Sequence, residues 1–414
     1  MTNETFSQAL QRIRRERGVS YRELSSACHV DSGHLCKIEK GQRPCTMKVA
    51  EAIDRALDAD GALVAIAREE RRQRVRAAVT SDSMKRRTLV RWGVTASALA
   101  SIGGVSDLAE PVGRVGVADA ERLLRAATRL RQLGHLHGGE SLWQAAAALV
   151  GDSYRLLEHG SYTVSVEQRL LRAAGRAHMA AGWLAFDAGR HDVARSCYNE
   201  ALNLARQAAD AGTEAHALAN LAFQSNIIGR PREAMRLAEA ASRAAARPHG
   251  VARLSAMPHL RRAVAFATSA DPRGAAAAMT EARRVLDRDG DKPTPEWCAF
   301  LTQVELDGLE GTCALELGQP ERAEALLVRA IAGHADQFAR NRALYRVRLA
   351  RARLDRRVIE GAAEAANAAL DDLSGELGSW VVSNELAAIA GRFEPYDEVP
   401  QVERFLARYT RSTR

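Results

Sequence analysis

Two helical stretches of eight residues, Tyr21–Cys28 and Ser32–Glu39, stand only three residues apart, and that spacing restricts this chain more than any other feature. Ser20 is a good N-cap, and Glu23 three residues on completes a capping box, so the first stretch has its start written locally. Asp31 caps the second, and Gly41 closes it. Helices joined by so short a turn must cross steeply, as in helix-turn-helix units. Around this pair the pattern predicts a helix over Thr5–Arg17, with Phe6, Leu10 and Ile13 on one face and a stop at Gly18. Beyond Pro44 a fourth helix turns Val49, Ile53 and Leu57 inward, and a fifth begins near Ala62. The outcome is a five-helix domain over residues 5–70.

The string RRERGVSYRELSSACHVDSGHLCKIEKGQRP, which begins at Arg14, closely resembles the Cro/cI-type (phage-repressor-like, XRE family) helix-turn-helix family. Leu24, Val30, Leu35, Ile38, Glu39 and Gly41 carry the resemblance, with Arg14 upstream and Pro44 downstream. It implies a lambda-repressor-like fold whose helix after Asp31 enters the major groove of double-stranded DNA. By this resemblance Ser32, Gly33, His34 and Lys37 are the base readers, and Tyr21, Lys40, Gln42 and Arg43 meet phosphates. Arg14 and Glu39 match the family's structural ion pair between helices 1 and 3. Two positions depart from the pattern. His29 stands where the family usually has Gly, at a backbone position that tends to need positive φ. Gly33 stands where a base-reading side chain is usual, which shifts readout toward DNA shape.

Cys28, His29, His34, Cys36 and Cys45 gather in this stretch, but their spacing fits no zinc pattern, and thiols at such positions act as compact apolar fillers. No metal and no cofactor is expected. Six cysteines in 414 residues do not make a disulfide framework, and the polar N-terminus carries no signal peptide, so a reduced, cytoplasmic setting with no membrane span is expected. The formal charge of +8 rests on 54 Arg against 5 Lys, a bias that GC-rich coding explains as well as phosphate binding does.

Residues 71–115 form an Arg-rich and then Gly-rich helical linker. Within it, Arg86-Arg87 followed by Thr88, Leu89, Val90 and an apolar run looks like a twin-arginine export signal. Behind a complete domain it cannot serve as an N-terminal address, and an amphipathic helix packed on the body is the plainer reading.

From residue 116 to 414 helical periodicity runs almost unbroken, and no alternating strand pattern interrupts it. GRHDVARSCYNEAL from Gly189, GRPREAMRLAEAA from Gly229 and GQPERAEALLVRAI from Gly318 share one pattern, with weaker copies at Asp271-Pro272 and Glu360-Gly361. They resemble the second helix of a tetratricopeptide repeat, with Ala194, Ala234 and Ala323 where helices approach closely, and Gly182, Ala222 and Gly311 in the preceding helices. The copies are about 40–48 residues apart, longer than the 34 of the strict repeat. The fold class expected is therefore all-α: a DNA-binding head followed by a tetratricopeptide-like α-solenoid. Solenoids of this kind offer a groove and no chemistry of their own. No phosphate loop, HExxH or GxSxG occurs, so an enzyme is not expected. Asn220, Asn226, Trp183 and Phe223 are the candidate groove residues, Asn because it can pair with a peptide backbone.

The combination resembles peptide-sensing regulators of Gram-positive bacteria, of actinobacterial type. It implies a transcriptional regulator that binds a palindromic operator as a homodimer and responds to a peptide or small-molecule effector. The alternative is a protein-interaction scaffold with an accessory DNA-binding head.

Overall fold

Local capping starts the first helices of the chain. In the computed structural model, Thr5 accepts from the Gln8 backbone N–H while the Gln8 side chain accepts from Thr5, and α1 (Phe6–Glu16) begins there. Ser20 and Glu23 repeat the arrangement at α2 (Tyr21–Cys28), with bonds of 2.8 and 3.3 Å. Asp31 accepts from His34 N at 2.9 Å and opens α3 (Ser32–Glu39). His29, between α2 and α3, takes φ 54° and ψ 37°, the left-handed conformation that its turn position called for. Two more helices follow, α4 (Met47–Ala56) and α5 (62–68). The structure describes residues 5–41, 45, 47–68, 70, 113–137, 139, 142–248, 250–289, 294–335, 338–373 and 378–412. The twin-arginine-like stretch at 85–104 lies outside them, as do Gln42 and Arg43.

The chain divides into two units, Met1–Asp82 and Ser83–Arg414. In the first, Phe6, Leu10, Ile13, Leu24, Leu35, Ile38, Ile53, Leu57 and Leu63 form one buried core. Asp54, buried at 8% exposure, contributes what no short-range pattern announces. Its carboxylate accepts from Gly61 N at 2.8 Å and Leu63 N at 2.9 Å, and so caps α5 from the neighbouring helix.

The described residues of the second unit form helices, short 3₁₀ turns and an isolated bridge between Arg114 and Ser161, with no strand among them. The helices are α6 (Val117–His137), α7 (Trp143–His159), α8 (Val164–Asp187), α9 (His191–Gln207), α10 (Ala211–Ile227), α11 (Pro231–Ala245) and α12 (Met257–Thr268). They continue as α13 (Pro272–Asp289), α14 (Gln303–Glu316), α15 (Pro320–Gly333), α16 (Ala339–Asp355), α17 (Ile359–Asp372), α18 (Trp380–Phe393) and α19 (Pro400–Ser412). Each helix packs on its sequence neighbour as a hairpin, except that α17 packs on α19 rather than on α18, and the even-numbered helices also pack on one another from α6 to α18. That makes an inner row of even helices and an outer row of odd ones, the layout of an all-α solenoid. Burial follows the layout. Inner α10 is buried nearly all round, whereas outer α11 buries a single alanine stripe, Ala234, Ala238, Ala241 and Ala244.

The turns leading into α9, α11, α13, α15 and α17 share one geometry. Each places a residue in the left-handed region: Gly189 at φ 73°, Gly229 at 72°, Ala270 at 57°, Gly318 at 68° and Arg357 at 61°. In every one the next N–H donates to the carbonyl five residues back, as Arg190 does to Ala185 at 2.8 Å and Val358 to Arg353 at 2.8 Å. The two copies weakest in sequence are the two that hold this conformation without glycine. The small residues are also where rows meet. A Cβ on Gly182 would stand 2.6 Å from the Tyr198 ring, and one on Gly311 would stand 2.9 Å from Leu327. Ala194, Ala222, Ala234 and Ala323 are fully buried.

The inner row curls until α8 touches α18. Asp187 at the end of α8 accepts from Arg340 Nε of α16 at 2.7 Å and from Ser379 Oγ at 2.9 Å, and all three residues are buried. Among the described residues no helix is long and apolar enough to cross a membrane.

Candidate nucleic-acid interface and body cavity

α3 turns Leu35, Ile38 and Glu39 into the head's core and leaves Ser32, Gly33 and Lys37 exposed. Gly33, Lys37 and Lys40 follow one another at i, i+4 and i+7, so they form a stripe along the outer face of the helix. Lys40, also exposed, is the C-cap residue. His34 is half-buried beside this stripe. The helix thus presents two cations, one hydroxyl and a bare backbone position on one outward face. That set can donate to guanine N7 and O6 and to phosphate oxygens. Gly33 has a structural reason as well. A Cβ there would lie 3.1 Å from Asp31 Oδ1, the oxygen that caps the helix.

The face is held by one ion pair. Arg14 Nε meets Glu39 Oε2 at 2.8 Å and Arg14 Nη2 meets Oε1 at 2.9 Å, a two-pronged contact from α1 to the end of α3. Arg14 Nη1 also reaches Val19 O at 2.9 Å, tying in the entry to α2. Burial opposes the charge on Glu39, yet its bonds to Arg14 outweigh burial and hold the carboxyl below its usual range. Tyr21, expected at the phosphates, is half-buried and lies under the Arg14 guanidinium at 4.2 Å, with burial and then Glu39 raising its hydroxyl's proton affinity. That placement joins Tyr21 to the pair. Burial pushes the Cys28 thiol up, so it sits in the core as an unactivated thiol.

In the body, Trp183 of α8, Asn220 and Phe223 of α10 converge on one cavity of about 70 Å3 inside the inner row. Asn226, the fourth residue expected there, is not on its wall; its Nδ2 donates to Arg261 O at 2.9 Å and so links α10 to α12. The wall also holds Arg131 of α6, Arg261 of α12, Glu305 of α14, and Arg340 and Arg348 of α16, none of which stood out in the sequence. An Arg in an Arg-rich chain gives no local signal. What could have marked them is their place on inner helices that are otherwise apolar. Arg340 is paired with Asp187, and Arg348 with Glu385 at 2.9 Å. Glu305 accepts from Asn341 Nδ2 at 3.1 Å, and burial raises its carboxyl toward the neutral form.

A model of the helix-turn-helix domain family matches residues 5–67. No curated protein matches the chain. The head is therefore a helix-turn-helix domain, and it points to a DNA-binding regulator.

Proposed function

We propose that this protein is a sequence-specific transcriptional regulator, and that its Cro/cI-type head reads a palindromic operator as part of a homodimer. The observation that carries the reading is the exposed stripe Ser32, Gly33, Lys37 and Lys40 on a helix locked in place by Arg14 and Glu39. Ser32, Gly33, His34 and Lys37 are the base readers, and Tyr21, Lys40, Gln42 and Arg43 the phosphate contacts. One such head has only a thin set of donors, so a second head on the same body supplies the second half-site. The body is a tetratricopeptide-like solenoid and acts as dimerisation and sensor domain. Its shared turn geometry, its close-contact alanines and its central cavity support that reading. No catalytic step is assigned to the chain, which acts on DNA in the cytoplasm.

The test is capture of sheared genomic DNA by the full-length protein, followed by sequencing of the bound fragments. An enriched motif with two inverted halves supports the proposal. No enrichment over input sinks it.

A further inference from the structure

The cavity in the body has the polar inventory of a binding site for an anion. Its wall residues Asn220, His216 and Arg261 are 4%, 2% and 6% exposed. Among the described residues Asn220 Nδ2, His216 Nδ1 and Arg261 Nε have no partner in hydrogen-bond geometry, and neither does Trp183 Nε1; the Asn220 side chain interacts with the Tyr198 hydroxyl without meeting that geometry. Buried polar atoms are nearly always paired, because an unpaired one costs about 1–3 kcal/mol. Four on one cavity wall is a cluster that needs a cause. Three of them, on Trp183, Asn220 and Arg261, can only donate, and a neutral His216 can donate from this nitrogen too.

Charge points the same way. Arg340 and Arg348 are neutralised by Asp187 and Glu385, but among the described residues Arg261 forms no ion pair, Glu305 acting on it only through space; its guanidinium lies over the Phe223 ring at 4.4 Å. Glu305, the carboxyl on this wall, is pushed toward its neutral form by burial. Burial drives the His216 imidazole well down, and Arg131, Arg176 and Arg261 drive it further, so the field at that ring is positive. His216 is held flat against Trp297, with ring centroids 4.1 Å apart.

We propose that the cavity is the body's effector site, and that it takes a small organic acid whose carboxylate is seated by Arg261, Asn220 and His216. The proposal rests on the reading of the body as a sensor and names the chemistry of what it senses. An extended peptide does not suit the site. The free space of about 70 Å3 is several times what one water needs, yet it is under half of a cavity that holds benzene. The bonds of Asp187 to Arg340 and Ser379 also draw α8, α16 and the start of α18 together, where an open groove would leave them apart.

The experiment titrates the full-length protein with formate, acetate, propionate and inorganic phosphate, and with the neutral amides of the three acids. The readouts are tryptophan fluorescence, since Trp183 and Trp297 flank the site, and the melting temperature. At least one carboxylate is expected to give a saturable change that its amide does not give. Arg261→Met is expected to weaken it tenfold or more, and Arg261→Lys less. Ligand-free Arg261→Met is expected to melt no lower than wild type, because it removes an unpaired buried cation. If Arg261→Met does not fold, Asn220→Leu takes its place with the same expected loss. Saturation by phosphate alone, no saturation by any carboxylate, or equal binding by the variants would overturn the proposal. The sensor reading is judged apart from it, by whether a carboxylate that binds also changes affinity for a captured DNA fragment.

Discussion

Removing Glu39 should cost the head a third or more of its margin of stability. The carboxylate is 4% exposed and takes two charge-assisted bonds from Arg14, at 2.8 and 2.9 Å, while Arg14 itself is 14% exposed. Glu39→Ala leaves that guanidinium largely out of water without its counter-ion, and breaking a buried pair from one side costs about 3–5 kcal/mol. Because the pair lies near the surface, the lower end, about 3 kcal/mol, is the appropriate figure. A head of this size is worth only about 3–10 kcal/mol in total at ~0.05–0.15 kcal/mol per residue. All five tryptophans lie beyond residue 82, so the head carries no fluorophore of that kind itself, and amide hydrogen exchange by mass spectrometry is the suitable assay. Peptides from α1 and α3 should lose protection roughly 150-fold, the factor that ~3 kcal/mol implies, with body peptides unchanged. Replacing both partners, as in Arg14→Met with Glu39→Met, should cost less than the single change. Loss of less than about threefold in the single variant would refute the argument that this pair holds α3 to α1.

Other perturbations separate the remaining parts of the account. Lys37→Ala should cost about 1–3 kcal/mol of DNA affinity and relax the preference at one base pair, whereas Lys40→Ala should weaken all sequences alike and reduce the salt slope by about 1, both measured by fluorescence anisotropy. Arg357→Gly relieves the left-handed φ of 61° and should stabilise the body by about 0.5–1 kcal/mol in tryptophan-detected urea unfolding. Gly182→Ala drives a methyl into the Tyr198 ring and should destabilise it by about 1–3 kcal/mol in the same assay. His178 is fully buried, and burial lowers its pKa to about 4. The unfolded chain therefore binds the extra proton first, and as pH drops from about 6.5 toward about 4 His178 should take about 2–3 kcal/mol from body stability, with the buried His216 and His334 adding to the fall. His178→Leu should flatten that slope.

The head was legible because its determinants are local. Ser20 with Glu23, Asp31 before α3, and the apolar spacing of Phe6, Leu10 and Ile13 each act within one or two turns of helix. The need for a left-handed residue between α2 and α3 could be read even with His29 in place of Gly. Asp54 could not, because its partners lie across a loop and the capping rules look only upstream of a helix. In the body the turns at Gly189, Gly229 and Gly318 announce themselves, while Ala270 and Arg357 hold the same turn without its usual residue. Trp183, Asn220 and Phe223 could be placed on inward helices from periodicity alone. The cavity could not be foreseen, since it depends on α8 meeting α16 and α18, and Asp187 bonds to residues 153 and 192 positions away. Curvature accumulates from small rotations at every hairpin, and no window of sequence contains it.

The central claim is that two copies of this head read DNA side by side through α3. Protection of guanine N7 from methylation by dimethyl sulfate, on a captured genomic fragment, tests it most directly. The account predicts two protected major-groove patches on one face of the duplex, one helical turn (about 34–36 Å) or a multiple of it apart, both lost in Lys37→Ala with Lys40→Ala. A single patch would contradict the dimer, and uniform or absent protection would contradict specific reading by α3.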